Sequence, residues 1–250
     1  MSEVLRTHGL SKSFGAFAAN TDISLTLSKG ARHALIGPNG AGKTTLINLL
    51  TGVFAPSAGD IWLSGERVTS MPQHRRVKRG MTRTFQINTL FPGLTVLESV
   101  MLAICERKGV GDRWARRLVT MSAEIDEARA LLASLRLDDD AGSLTGRLAY
   151  GKQRLLEIAL ALATRPQLLL LDEPAAGIPS DASAELFAVL ADLPRDVTVL
   201  FIEHDMGLVF RFAERITVLV GGKVLTEGTP QEIAADARVK EVYLGEAGHG

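Results

Sequence analysis

The sequence predicts an α/β fold in three parts: a parallel-sheet core, an antiparallel β segment ahead of it, and a helical insertion within it. Three observations carry this expectation. The runs Ala34-Leu35-Ile36, Leu168 to Leu171 and Val197 to Ile202 are continuously apolar, as strands of a parallel sheet buried on both faces are. Residues 3–30 instead alternate polar and apolar positions in short runs, as in Ile23-Ser24-Leu25-Thr26-Leu27, which suits antiparallel strands with one wet face. Between roughly residue 95 and residue 165 the apolar positions fall at helical spacing, with Glu124 to Leu135 rich in Ala, Leu, Glu and Arg.

The expected division is one domain over 1–250, with 1–87 and 166–250 forming the α/β core and 88–165 the helical subdomain. After Gly221-Gly222, Lys223 to Glu227 reads as a last hairpin strand, followed by a helix from Pro230. With 250 residues and 46% apolar content the chain can bury a large core without staples. Cys105, the single cysteine, cannot form an intrachain disulfide; it reads as a small apolar helix residue and fits a reducing compartment. Lys plus Arg equals Asp plus Glu at 28 each, so no net basic field draws the chain onto nucleic acid or an anionic membrane. Met1 to Leu10 carries Glu3, Arg6 and His8 without the apolar run of a secretory signal, and no stretch approaches the ~18 apolar residues of a membrane span. A soluble, cytoplasmic chain is expected, with any membrane link made through a partner.

Gly37-Pro38-Asn39-Gly40-Ala41-Gly42-Lys43-Thr44-Thr45 matches the phosphate-loop pattern, with an apolar strand before it and Leu46 to Leu50 opening a helix after it. Its glycines let the backbone curl so that successive N–H groups point inward, and the helix N-terminus adds partial positive charge. Lys43 is placed to reach the β- and γ-phosphates of ATP, and the Thr44 hydroxyl to ligate Mg²⁺. A Gly-rich turn that binds nothing is the bland alternative, but here the full pattern and its strand-to-helix context occur together. Leu168-Leu169-Leu170-Leu171-Asp172-Glu173 then sets two carboxylates at the end of a buried strand. In open parallel sheets ligands sit beyond the carboxyl ends of strands, so Asp172 is expected to hold Mg²⁺ and Glu173 to polarise the attacking water.

At this point the sequence resembles the ATP-binding-cassette family, over nearly the whole chain. Thr84-Phe85-Gln86 is similar to the family's glutamine loop, Ile202-Glu203-His204-Asp205 to its histidine loop, and Leu148-Ala149-Tyr150-Gly151-Lys152-Gln153 stands where the family signature belongs. The resemblance implies a phosphate-loop NTPase core of the RecA-like type, with the N-terminal antiparallel β subdomain and the inserted α-helical subdomain. It also implies that Gln86 senses Mg²⁺ and the attacking water and that His204 holds the γ-phosphate. Phe14 would be the aromatic residue stacking on adenine, with Phe17 the other candidate and a core position for Phe14 the plain alternative.

Two departures stand out. The usual Leu-Ser-Gly-Gly-Gln signature, whose serine meets the γ-phosphate of the opposite subunit, has Ala149 at the serine, Tyr150 at the first glycine and Lys152 at the glutamine. Trans recognition then falls to Gly151 and the backbone N–H groups of the helix start, with Lys152 adding positive charge. After Glu173-Pro174, the usual Ser-Ala-Leu-Asp becomes Ala176-Gly177-Ile178-Pro179, and Asp181 lies out of register with the missing aspartate. The Leu-Ala-Tyr-Gly signature, Glu-His-Asp-Met at 203–206 and the ending Val242-Tyr243-Leu244-Gly245 resemble importers of branched-chain and other hydrophobic amino acids, a group that includes importers of urea, short amides and aromatic acids.

The resemblance implies a second ATPase subunit (homodimer or close paralogue), two transmembrane permease subunits, an indirect solute-binding protein and a place on the cytoplasmic face of the inner membrane. Other readings are the ATPase of a lipopolysaccharide-type exporter, whose signature more often keeps Ser-Gly-Gly, and a soluble cassette acting on nucleic acid or ribosomes. The last is disfavoured by neutral charge and the absence of tandem cassettes. Basic clusters at Arg75, Arg76, Lys78 and Arg79 and at Arg113, Arg116 and Arg117 read first as solvated faces. With the chain ending soon after the last predicted helix, no regulatory domain like those of sugar importers is expected.

Overall fold

The computed structural model describes residues 2–84, 90–110 and 121–246. Two compact units emerge. One comprises Met1–Thr82, Gln167–Pro174 and Pro194–Gly250; the other comprises Arg83–Pro166 and Ala175–Leu193.

The first unit opens with β1 (Glu3–Phe14), β2 (Phe17–Ile23) and β3 (Thr26–Ser28). The alternating run 23–27 does not stay one strand. Thr7 of β1 fills the break: its hydroxyl donates to the Ile23 carbonyl and accepts the Leu25 N–H, so Ser24 and Leu25 turn the chain while the backbone polar groups of Ile23 and Leu25 stay satisfied. β4 (Arg32–Ile36), buried throughout, delivers the chain to the phosphate loop, and α1 (Lys43–Thr51) leaves it. β5 (Ala58–Leu63) pairs antiparallel with β1, β6 (Glu66–Arg67) extends that sheet, and a short α2 (Gln73–Lys78) leads to β7 (Met81–Arg83).

Arg76 of α2 is fully buried. Its guanidinium donates to the carbonyls of Leu49 (2.7 Å) and Leu50 in the last turn of α1, and to Thr69 and Met71 (2.8 Å each). A cation at a helix C-terminus satisfies carbonyls that lack intrahelical donors and complements the helix dipole. Burial pushes Arg76 down to about 10, which leaves it charged at neutral pH.

In the second unit α3 (Val96–Lys108) starts on a capping box, Thr95 accepting the Glu98 N–H while Glu98 accepts that of Thr95. It packs with α4 (Ser122–Ser134) and α5 (Tyr150–Ala163) around Val100, Ile104, Ala128, Leu132, Leu156 and Ala159. Cys105 lies buried on α3 as a small apolar residue, and burial pushes its thiol up.

β8 (Leu168–Asp172), α6 (Ser180–Ala191), β9 (Thr198–Ile202), α7 (Met206–Phe212), β10 (Arg215–Val220), β11 (Lys223–Gly228), α8 (Pro230–Ala235) and α9 (Ala237–Glu246) complete the chain. The core sheet runs β11-β10-β4-β9-β8-β7, with β10, β4, β9 and β8 parallel and β11 returning on β10 as a hairpin across Gly221-Gly222. The sequence pattern assigns all of 166–250 to the core; Ala175–Leu193, with α6, instead packs in the helical unit. β10, which the apolar runs do not mark, is the neighbour of β4. Polar Thr217 sits inside it, bonded to the buried His33 ring at 2.7 Å and to Glu227 at 3.1 Å. Burial pushes His33 down to about 4, with Glu227 pulling the other way, so the ring is neutral at pH 7.

Candidate nucleotide site

The phosphate loop is shaped by its neighbours as much as by its own sequence. Gly37 has φ +150, and a Cβ there would run into the Leu219 carbonyl of β10, so no other residue fits where β4 ends beside β10. The Asn20 side chain of β2, almost fully buried, donates to the Gly42 carbonyl at 3.2 Å, and Gly222 N–H donates to Ala41 O at 3.1 Å. Asn39 and Gly40 are exposed at the tip and Thr44 is exposed on the first turn of α1, while Thr45 and Pro38 are half-buried. Lys43 is buried, its ammonium donating to the carbonyls of Gly37 (2.6 Å) and Pro38 (3.0 Å). The loop therefore holds a cation against its own backbone, beside a helix N-terminus whose first N–H groups have no intrahelical acceptor.

At the carboxyl end of the sheet, Asp172 pairs with Ile202 in the β8–β9 ladder and the Glu173 N–H adds one more rung to Ile202 O at 3.0 Å. Glu173 has φ +51, a left-handed conformation uncommon for a side-chain-bearing residue, which turns the chain out of the sheet directly after the strand. Its carboxylate lies 2.7 Å from His204 Nε2. Both side chains keep access to solvent, His204 at 48% and Glu173 at 35%. Asp205 caps α7 by accepting the Leu208 N–H at 3.1 Å, which anchors the histidine from its C-terminal side. Glu203 is buried and accepts the His204 N–H at 3.2 Å. In the sequence Glu203 carries no signal beyond a charge at an otherwise apolar strand end.

Phe14 and Phe17 face each other across the β1–β2 hairpin tip and both are exposed, which removes the core reading of Phe14. The Phe14 ring packs edge-on against Phe54 (5.3 Å between centroids), with the Lys12 ammonium 5.0 Å from its centre. An exposed ring fixed this way can offer a flat apolar surface to a base. Phe85 and Gln86 lie outside the described residues, as do Arg113, Arg116 and Arg117.

The signature residues lie in the second unit. Leu148 is buried, Ala149 is the N-cap of α5 without a side-chain cap, and Tyr150 and Gly151 form its first turn. Lys152 is paired with Asp140 at 2.6 Å, so the positive charge it brings to the signature is shared with a carboxylate of the same unit. Asp140 also raises the Lys152 ammonium above its usual range. Beneath this turn Arg154 and Glu157 form a buried ion pair at 2.9 Å; burial pushes the Glu157 carboxyl up, against the pull of Arg154. Asp181 lies in the first turn of α6, where a negative charge favours the helix start.

A phosphate loop feeding a helix, with carboxylates at the ends of neighbouring parallel strands, defines a nucleoside-triphosphate-binding domain. The family described as ABC transporter matches residues 20–176, and the one described as branched-chain amino acid ATP-binding cassette transporter matches 223–249. The chain is 38% identical over 253 residues to the high-affinity branched-chain amino acid transport ATP-binding protein BraF of Pseudomonas aeruginosa, and 39% identical over 252 residues to its counterpart LivG of Salmonella typhimurium, covering 98% of both chains in each case. The solved ADP conformation of an ATP-binding cassette of an ABC transporter matches with a TM-score of 0.86 at 30% identity, over 98% of this chain and 100% of that one. The chain belongs to the ABC transporter ATP-binding family, and its fold is that of an ABC ATPase cassette.

Proposed function

We propose that the chain is the ATP-hydrolysing subunit of an importer for branched-chain or related amino acids, working as a head-to-tail pair of ATPase subunits on two membrane permease subunits. The observation that carries the hydrolytic part is the Glu173–His204 contact at 2.7 Å beyond the ends of two parallel strands, in a unit that also contains the complete phosphate loop. The importer part rests on the names of BraF and LivG and on the C-terminal family match at 223–249. The greater identity to BraF and LivG, 38–39% against 32% to the lipopolysaccharide export ATP-binding protein LptB of Haemophilus influenzae, favours the importer over the exporter alternative.

In this reading Lys43 exchanges its loop carbonyls for the β- and γ-phosphates, and the N–H groups of 39–45 take the remaining phosphate oxygens. Phe14 stacks on adenine, with Phe17 beside it at the hairpin tip. Glu173 accepts a proton from the attacking water, and His204 holds Glu173 in place and contacts the γ-phosphate. Among the described residues no group of three or more His, Cys, Asp or Glu could hold a metal by itself. Thr44 and Asp172 would suit Mg²⁺, which uses one or two protein ligands beside phosphate oxygens and water, with Gln86 the further ligand the family resemblance implies. Bound there, Mg²⁺ would offset charge on the β- and γ-phosphates.

Gly151 and the start of α5 form the half of the site offered to the nucleotide of the opposite subunit. Among the described residues no helix is long and apolar enough to cross a membrane, in keeping with attachment at the cytoplasmic face of the inner membrane through the permease subunits. A solute-binding protein would deliver the amino acid, and nucleic acid has no part.

The test is to purify the chain with its permease subunits, add candidate solute-binding proteins with and without ligand, and follow phosphate release. Stimulation by a binding protein loaded with a branched-chain amino acid is the expected result. Stimulation only by urea, an amide or an aromatic acid would reassign the solute, and stimulation only by a lipopolysaccharide-type lipid would overturn the importer reading.

A further inference from the structure

We propose that Tyr150, braced by the buried Arg154–Glu157 pair, is a positioning residue that fixes the turn Ala175–Ile178 against the start of α5, so that signature and turn move as one piece. The inference rests on the reading of α5 as the trans half of the nucleotide site. It adds a device that composes that half from within one chain.

The contacts form a continuous path. The Tyr150 hydroxyl donates to the Ala176 carbonyl at 3.3 Å. Arg154 Nη2 donates to the same hydroxyl oxygen at 3.2 Å, which commits the hydroxyl proton to Ala176. The guanidinium carbon also stands 5.4 Å from the centre of the Tyr150 ring, so one cation holds both ring and hydroxyl. Glu157 accepts from Arg154 Nη1 at 2.9 Å and fixes the guanidinium from the other side.

The turn answers this grip. It is closed by Ile178 N–H on Ala175 O at 3.1 Å, and its Gly177 has φ +74. A Cβ on Gly177 would lie 3.3 Å from the Tyr150 hydroxyl, tighter than ordinary contact. On the next residue of α5, a Cβ on Gly151 would stand 3.3 Å from Ala182 Cβ of α6 and 3.9 Å from Ile178. Little room is therefore left for a side chain at either glycine.

Burial indicates what the network is for. Arg154 and Glu157 are each about nine-tenths or more buried, and Arg154 Nε and Glu157 Oε1 have no hydrogen-bond partner, so a well-packed apolar pair would hold the helix at least as well. What the pair adds is orientation. Ala149 leaves the α5 start without a hydroxyl cap. With no aspartate in the turn Ala176-Gly177-Ile178-Pro179 to fix it from outside, Tyr150 supplies that fixing from inside.

The test is Tyr150→Phe, which keeps the ring over Arg154 and removes only the hydroxyl bonds. Three readouts are taken: ADP affinity of the isolated subunit, ATP-dependent dimerisation in a Glu173→Gln background, and amide exchange at 176–178. ADP affinity is expected to stay unchanged, since the phosphate loop and Phe14 hold ADP. The dimer dissociation constant is expected to rise about three- to tenfold, the worth of one net hydrogen bond, with faster exchange in the turn. An unchanged dimer constant and unchanged exchange would overturn the proposal, as would equal weakening of ADP binding, which marks general loosening. Failure of Glu173→Gln alone to dimerise with ATP would strike the trans-site reading and leave the exchange readout to judge Tyr150. Arg154→Gln gives the second check: with the ring brace gone and the hydroxyl present, exchange at 176–178 is expected to rise again, and protection equal to the parent would overturn the role given to Arg154.

Discussion

The phosphate-loop region and the signature region are both built at helix starts, yet they are held in opposite ways. The loop at 37–45 is a backbone device. Its shape is dictated from outside by the Leu219 carbonyl, by Asn20 on Gly42 and by Gly222 on Ala41, and its one reactive side chain, Lys43, folds onto loop carbonyls. The signature start at 149–152 is a side-chain device, with a tyrosine, a buried ion pair and a paired lysine where small residues and a serine would serve in the wider family. A backbone site tolerates almost no change in its glycines, whereas a side-chain site can be rewired residue by residue. This explains why the first region follows the motif throughout and the second departs from it.

The largest effect that would break this contrast is expected at Lys43. Lys43→Ala removes the only mobile cation of the loop while leaving its backbone cradle, and tight ATP binding should be lost in a fluorescent-nucleotide titration; affinity near that of the parent would show that backbone groups alone suffice. Next comes Glu173→Gln, where binding and chemistry should separate. Turnover should fall by about 10² to 10⁴ while ATP and the closed dimer are retained, and possession of the φ +51 conformation by the same-sized side chain should leave the fold intact. Phosphate release and light scattering on one sample test both halves, and near-normal turnover would pass the base role to another group.

A smaller effect concerns β4, which feeds the loop. His33 in the folded chain titrates at about 4 against about 6.5 when unfolded, so only the unfolded chain takes up a proton between those values. Stability is thus complete above about pH 6.5 and declines as pH falls toward 4, by an amount on the order of 3 kcal/mol from this residue. His33→Gln should flatten that slope in urea midpoints measured at pH 7 and pH 5; an unchanged slope would assign the acid sensitivity elsewhere. The smallest effect is expected in the signature, where Ala149→Ser restores an N-cap worth about 1 kcal/mol. Thermal stability should rise slightly and ATPase activity stay level or increase, and inactivation of the folded variant would show that the trans contact lies elsewhere.

Much of the core was legible because it is local. An apolar strand, a glycine loop and a helix are written consecutively at 34–50, and Leu168 to Asp172 announces its own burial and its charged end. What escaped depended on partners distant in sequence. Nothing near Lys152 marks Asp140 as its counter-ion, and nothing in the run 23–27 shows that Thr7 would divide it. The apolar pattern hides β10 because its run is broken by Thr217, whose hydroxyl is spent on His33, nearly two hundred positions away. α6 follows β8 in sequence, but its buried face, with Leu186, Phe187 and Leu190, packs in the helical unit. Periodicity reports that a helix has a buried face without saying which body covers it.

The grip of Arg76 on α1 also has a consequence for how the chain is made. Nine residues are too few for a helix to persist alone in water, and the cation that closes its last turn is supplied 25 positions later, with Thr69 and Met71 held in the same grasp. During synthesis the phosphate-loop motif therefore leaves the ribosome well before it can hold a shape. The last turn of the helix gains this cation only once residue 76 has emerged and folded back, so nascent chains stalled just before and just after that point should differ in protease resistance across 43–51.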